Sequence, residues 1–441
     1  MKQVLSAALL CILPALAGAQ PSPSTAQLRQ ALAAAESGQV TTALPAGHPL
    51  AGWMEMAALR ARIDSLPDAT AQAFLQRQAG NPAGETFRDA WLAQLARRGD
   101  WQGFLSAWQP RNDPALRCAH LQALAATGKA DGQWDNQASE LWRKAGTSLP
   151  DRCDAVIARL GERGVLTDAL RWERIDAAVA AGQPAIIRSA ARGLPADQLA
   201  LATDYAAFLD TAHNRAASWP ATERSRKVVT AGLAALAKRD PDGAEARLPE
   251  LTRVLGLDAT QQGQVKYQIA LWTVASYLPG SAQRLAAVPD HAWDERLHEW
   301  QVREAMARAD WRAALAALQR MPASQRNDSR WQWFTARMLE KNGQATAADA
   351  VLRQAARAST FHGFMAADRL ALPYALCPVE LDANASVRTE VAGNPALQRA
   401  LLLHQLDRPG PMPWPALMTP SASTPWPWPA PLAGMTAPCS R

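Results

Sequence analysis

Helix-breaking residues recur every fifteen to twenty positions along this chain, and that spacing limits what it can fold into more than any other feature. The breaks fall at Pro67, Asn81-Pro82, Gly99-Asp100, Gly128, Gly146, Gly161, Gly182, Pro195, Trp219-Pro220 and Asp240-Pro241. They continue through Gly256, Pro279-Gly280, Pro289, Pro322 and Gly343. Between them lie segments of ten to eighteen residues whose apolar positions recur at three and four, the period of a helix buried on one face. Short connections force successive helices to run antiparallel. A chain of 441 residues exceeds what one core usually holds, so the arithmetic predicts an all-α solenoid of short antiparallel helix pairs, curved or ring-like.

The stretch from Asn327 to Tyr374 shows the unit most clearly. Trp331, Phe334 and Met338 share one helix face, Lys341-Asn342-Gly343 reads as a stop, and Ala345, Ala348, Leu352 and Ala355 form the next, narrow stripe. One junction is written almost twice: Arg97-Arg98-Gly99-Asp100-Trp101 and Ala307-Arg308-Ala309-Asp310-Trp311. In each, the aspartate is expected to cap the following helix and the tryptophan to fill the seam. Asp131-Gly132-Gln133-Trp134 is a looser copy. The echoes keep no strict period, so the repeats are degenerate.

The ends differ from the middle. Lys2, the apolar run Val4 to Leu16 and Ala17-Gly18-Ala19 have the layout of a secretory signal, with cleavage expected after Ala19 and a periplasmic destination. The run is too short to span a bilayer, and the mature chain shows no transmembrane segment. The superhelical region is expected over 20–406. From 407 to 441 the sequence turns rich in Pro and Trp (Trp414, Trp426, Trp428), a composition expected to be disordered. It is also what a GC-rich gene gives when read out of frame, so a frameshift near Leu406 to Arg408 is an expectation that the nucleotide sequence tests.

Export permits disulfides. Cys118 and Cys153 fall on helices expected to be neighbours and form the candidate pair, against two separately buried thiols; Cys377 and Cys439 have no assigned partner. No C-x-x-C spacing points to zinc or redox chemistry. No glycine-rich phosphate loop or nucleophile elbow occurs, and no residue is assigned as catalytic, metal-binding or cofactor-binding. His298-Glu299 lacks the second histidine of a zinc-protease motif, and a solvated helix face explains it together with Asp294-Glu295-Arg296. His362 reads as a packed or half-exposed histidine beside Phe361 and Phe364. The tryptophans read as gap fillers before sugar platforms. Arg97, Arg98, Arg224 and Arg226 read as a solvated face before a groove for an anionic polymer. A net charge of +6 is mild, and with export it argues against nucleic acid as a partner. Nothing in the sequence sets an oligomeric state.

Several pieces resemble the soluble lytic murein transglycosylases. They are Phe361-His362-Gly363-Phe364-Met365-Ala366-Ala367-Asp368-Arg369-Leu370 with Pro373-Tyr374, and the upstream Trp331-Gln332-Trp333-Phe334-Thr335-Ala336-Arg337-Met338-Leu339-Glu340 with Gly343. His48-Pro49-Leu50 to Arg60 and Phe87 to Trp101 echo the family's first helices, and the resemblance covers residues 25 to 406. It implies a U-shaped or closed ring of helices that handles peptidoglycan glycan strands. It also strengthens the pairing of Cys118 with Cys153, since the family carries cysteines near those places. In the family a lysozyme-like domain follows, with a Glu-Ser pair, a Gly-Leu-Met-Gln segment and an Ala-Tyr-Asn-Ala-Gly segment, and cleaves MurNAc–GlcNAc linkages to leave 1,6-anhydro ends. Here Glu36-Ser37 is the only Glu-Ser pair, without the two later segments. The chain is therefore expected to bind or scaffold murein and not to cleave it. The rival expectation is a periplasmic tetratricopeptide-like adaptor that binds proteins.

Overall fold

The computed structural model describes residues 23–39, 44, 47–144, 146–376 and 385–408. The expected signal segment, the stretch from Pro409 onward, Cys377 and Cys439 lie outside them. Among the described residues there are α-helices and short 3-10 turns and no strand. The solenoid expectation holds: most helices pack on the next helix and on the next but one, as Ser329–Lys341 does with Ala345–Ala355 and with Phe361–Arg369.

The breaks act as the sequence predicts, through caps. Ser24 and Gln27 form a reciprocal capping box at Thr25–Glu36, and Asp258 with Gln261 does the same at Ala259–Ala275. Asn81, Asp113, Asp240 and Asn394 each cap a helix whose first residue is proline, where the missing N–H costs nothing. One break moves: Gly161 sits inside Asp154–Glu162, and the chain turns instead at Gly164.

The duplicated junction explains how turns this tight are made. The Asp100 N–H donates back to the Leu95 carbonyl, closing the helix Pro82–Arg97, while its carboxylate accepts the Gly103 N–H at 2.9 Å, opening Trp101–Ala107. Asp310 does both jobs again, with Ala305 behind it and Ala313 ahead. One residue thus satisfies orphan groups of two helices, so no residues are spent on a separate loop. Trp101 and Trp311 follow, both half-buried.

The described residues divide into two units. One holds residues up to 110 and those from 385 to 408. Within it Leu28, Leu32 and Ala35 of the first helix pack with Leu50 and Met54 and with Leu403 and Leu406 from the far end of the sequence. Full burial of each such leucine contributes about 1.5–3 kcal/mol. Arg29 donates to the Gln405 carbonyl at 3.2 Å, and Arg408 to Glu36 at 2.5 Å. Asp407 lies 3.4 Å from Arg29, and both Asp407 and Arg408 make their ion pairs at the protein surface.

The larger unit runs from 111 to 376. Its long core gathers Trp134, Ile175, Tyr205, Phe208, Leu233 and Val265. A second cluster joins Val302, Leu318, Trp331, Met338, Leu352 and Ala366. Cys118, on Pro114–Ala126, is bonded to Cys153 at the start of Asp154–Glu162.

Candidate functional site

In the larger unit the helices Glu295–Ala307, Ser329–Lys341 and Phe361–Arg369 begin 34 and 32 residues apart, each separated from the next by one returning helix or more. Alternate members of an antiparallel stack point the same way, so these three N-termini share an edge. Each is fixed by a cap: Asp294 accepts the Leu297 N–H at 2.8 Å, Asp328 the Arg330 N–H at 2.9 Å, and Thr360 the Gly363 N–H at 3.1 Å. Two are tied directly, because the Ser329 and Thr360 hydroxyls lie 2.7 Å apart. The Gln325 amide donates to the Glu295 carbonyl at 2.9 Å, and its own oxygen is buried without a partner. Between them opens a cleft of about 570 Å³.

The walls are polar and the rim is aromatic. Glu299 lies one helical turn from Glu295, on the face opposite the buried Leu297 and Val302. Its carboxylate is 3.1 Å from Arg303 and 3.6 Å from Arg330, a fixed anion held by two cations. The Arg330 guanidinium lies over the Trp331 ring at 4.6 Å and lines the cleft. His362 packs its ring 6.0 Å from Phe334 and 5.3 Å from Phe361. Burial holds its pKa below the ordinary imidazole value, with Arg330 acting the same way and Asp328 opposing. Phe361 is 70% exposed, a large ring left uncovered at the mouth. The site offers fixed donors, fixed acceptors and a flat apolar face.

Gly363 makes this edge possible. A Cβ there would overlap the carbonyl oxygen of Ala358, so only glycine lets the helix start this close to the preceding turn.

Other residues singled out in the sequence lie elsewhere. Glu36 is on the first helix, paired with Arg408. Arg97 pairs with Asp64 and Arg98 with Asp68. Arg224 forks onto Asp176 at 2.6 and 2.9 Å while lying over Trp172, and Arg226 donates to the Leu255 carbonyl. These guanidiniums bind parts of the fold. The solvated-face reading of His298 is corrected. The ring is buried against Trp293 at 4.9 Å, because the face carrying Leu297 and Val302 turns it inward. Glu299, its neighbour, is the residue that reaches the cleft.

The described tryptophans are all buried or half-buried. Among the described residues ten aromatic rings, all tryptophan, lie under a lysine or arginine, among them Trp91, Trp134, Trp142, Trp272, Trp300 and Trp311. The large aromatic rings exposed among the described residues are instead Tyr277, Phe361 and Tyr374. Sequence reasoning passed over Tyr277; its one signal is a bulky residue where most of the other turns carry glycine. No group of three or more His, Cys, Asp or Glu gathers for a metal among the described residues, and no described helix is long and apolar enough to cross a membrane.

Capped antiparallel helices in tandem, with a polar cleft at the edge shared by alternate members, define an all-α superhelical repeat protein. No family model matches the chain. It is similar to the soluble lytic murein transglycosylase of Escherichia coli K12, 25% identical over 413 residues that cover 90% of this chain and 63% of the relative. The Salmonella typhimurium enzyme of the same name is 25% identical over 404 residues, covering 89% and 62%. The chain thus spans somewhat less than two thirds of the length of the curated relatives it matches. Among solved structures, the 70 kDa soluble lytic transglycosylase of Escherichia coli superposes with a TM-score of 0.70 at 21% identity, covering 86% of this chain and 62% of that one. An inactive mutant of the lytic transglycosylase Slt from Pseudomonas aeruginosa gives 0.63 at 24% identity, covering 87% and 64%. The resemblance read from the sequence to soluble lytic murein transglycosylases therefore holds over most of the chain, and the solved structures share its fold.

Proposed function

We propose that residues 20–406, exported after cleavage behind Ala19, bind peptidoglycan glycan strands in the periplasm, with the cleft of Glu299, Arg330 and His362 as a contact surface. The observation that carries this reading is the combination of fixed donors, fixed acceptors and the uncovered Phe361 ring in one open cleft, in a chain that follows murein transglycosylases along nine-tenths of its length. Sugars need such a site: hydroxyls take directed hydrogen bonds, and the C–H face of a pyranose packs on an apolar ring.

The contribution of these helices is holding the strand and not cutting it. Cleavage of a glycosidic bond needs a protonated acid beside the leaving oxygen. Glu299 instead makes ion pairs with two arginines, Arg303 and Arg330, contacts that suit holding a strand. Burial lowers the pKa of His362, which suits a hydrogen-bonding group.

The test is co-sedimentation of the purified mature chain with intact sacculi, with the supernatant analysed for 1,6-anhydro-muropeptides. Retention without soluble product is expected, and Arg330→Ala with Phe361→Ala lowers retention. Release of anhydro products overturns the binding-only reading. Failure of the wild type to sediment overturns the murein reading and favours a protein-binding adaptor.

A further inference from the structure

The helix Ala259–Ala275 ends in the same closure as the duplicated junction, with the Tyr277 N–H on the Val274 carbonyl and the Leu278 N–H on the Thr273 carbonyl. That closure puts its next-to-last residue in the left-handed region, where most of the described residues with that backbone are glycine. Here the residue is Tyr277, with φ +53°, the one bulky side chain among the described residues with positive φ. A tyrosine in this conformation is strained, and its ring does not repay the strain by burial: it is 73% exposed. Strain kept at an exposed aromatic residue is the mark of a position held for something outside the fold.

The surroundings indicate what that is. The Tyr277 ring meets Trp300 edge to face, with centroids 6.4 Å apart and planes at 78°. Trp300 also meets Arg303, whose guanidinium lies 5.0 Å from the ring centre and 3.1 Å from the Glu299 carboxylate. Tyr277, Trp300, Arg303 and Glu299 thus form one unbroken run of side chains that ends at the cleft. Among the described residues no cation lies over the Tyr277 ring as Arg303 does over Trp300, and the exposed ring leads through Trp300 to a charge pair able to hydrogen-bond hydroxyls.

We infer that Tyr277 is a stacking platform for a pyranose ring, extending the cleft of Glu299 and Arg330 into a path for an oligosaccharide of several units. This rests on the glycan-binding reading above and adds a second sugar contact to it. A hexopyranose chain is the occupant these groups fit, because it alternates C–H faces for the ring with hydroxyls for Arg303 and Glu299.

The test uses the full mature chain, with soluble uncross-linked murein glycan strands as the probe in isothermal titration and a thermal melt of each variant. Tyr277→Gly removes the ring and also relieves the left-handed backbone. Its melting temperature is expected to rise while glycan affinity falls roughly tenfold. Tyr277→Phe keeps the ring and is expected to bind as the wild type does. A structural role for the ring predicts the opposite sign in the melt, and a lower melting temperature for Tyr277→Gly would overturn the inference. Unchanged affinity in Tyr277→Gly, with a wild type that binds, also overturns it and leaves the cleft reading standing. A wild type that binds no glycan removes both.

Discussion

Gly99 and Ala309 hold the same left-handed backbone, with φ +71° and +57°, at the same place in two copies of one helix-to-helix turn. Each is followed by an aspartate that ends one helix with its N–H and opens the next with its carboxylate. The turn is a solution the chain uses twice, and glycine fits it while alanine bears it at a cost. Ala309→Gly should therefore stabilise the protein by about 0.5–1 kcal/mol, the relief of strain less the entropy glycine adds to the unfolded chain. Gly99→Ala should destabilise by about 1 kcal/mol. Urea midpoints of the two variants check this; shifts of the same sign would refute it.

At Gly363 the constraint is space and not backbone angle. Gly363→Ala puts a methyl group into the Ala358 carbonyl, and the backbone must give way. A loss of roughly 1–3 kcal/mol is expected. Because the shift displaces Thr360 from Ser329, the cleft should open, and retention on sacculi should fall with stability.

The bond between Cys118 and Cys153 closes 35 residues of sequence within the larger unit. The double variant Cys118→Ala with Cys153→Ala should lose about 3–4 kcal/mol in the chain-entropy account. Denaturant unfolding of that variant beside the oxidised wild type measures the difference. Equal midpoints would mean that the crosslink does not restrain the unfolded chain.

His298 makes stability depend on pH. Burial, and then Arg320, lower its pKa, and Asp294 opposes them only in part. Below the ordinary imidazole value of about 6.5 the unfolded chain takes up the proton first, so acid favours unfolding. The stability present at pH 7 is lost as pH falls through that value toward the lower folded one. His48, His120 and His362 are lowered by burial too and act with the same sign. His298→Gln should make the fall in melting temperature between pH 7 and pH 5 shallower without abolishing it. An unchanged slope would show that His298 takes no part.

What could be read without coordinates was whatever depends on neighbours a few residues apart. Capping joins a side chain to an N–H three positions on, and a proline or glycine acts where it stands. Asp100, Asp310, Pro82 and Gly343 thus announced the turns, and the three- and four-residue spacing of Trp331, Phe334 and Met338 announced the helix. The all-α stack followed from those local facts.

The cleft did not, since it depends on which way each helix is rolled. Glu299 meets Arg330, and Ser329 meets Thr360, across about thirty residues of sequence. Rolling a helix by one position exchanges a buried residue for an exposed one, and this is why His298 went inward and Glu299 outward. The same rotation put Trp300 and Trp331 under arginines and left Phe361 and Tyr277 bare. Local sequence therefore determined where the helices are. Their packing against one another, a sum of many weak contacts between distant residues, decided which side chains face a ligand.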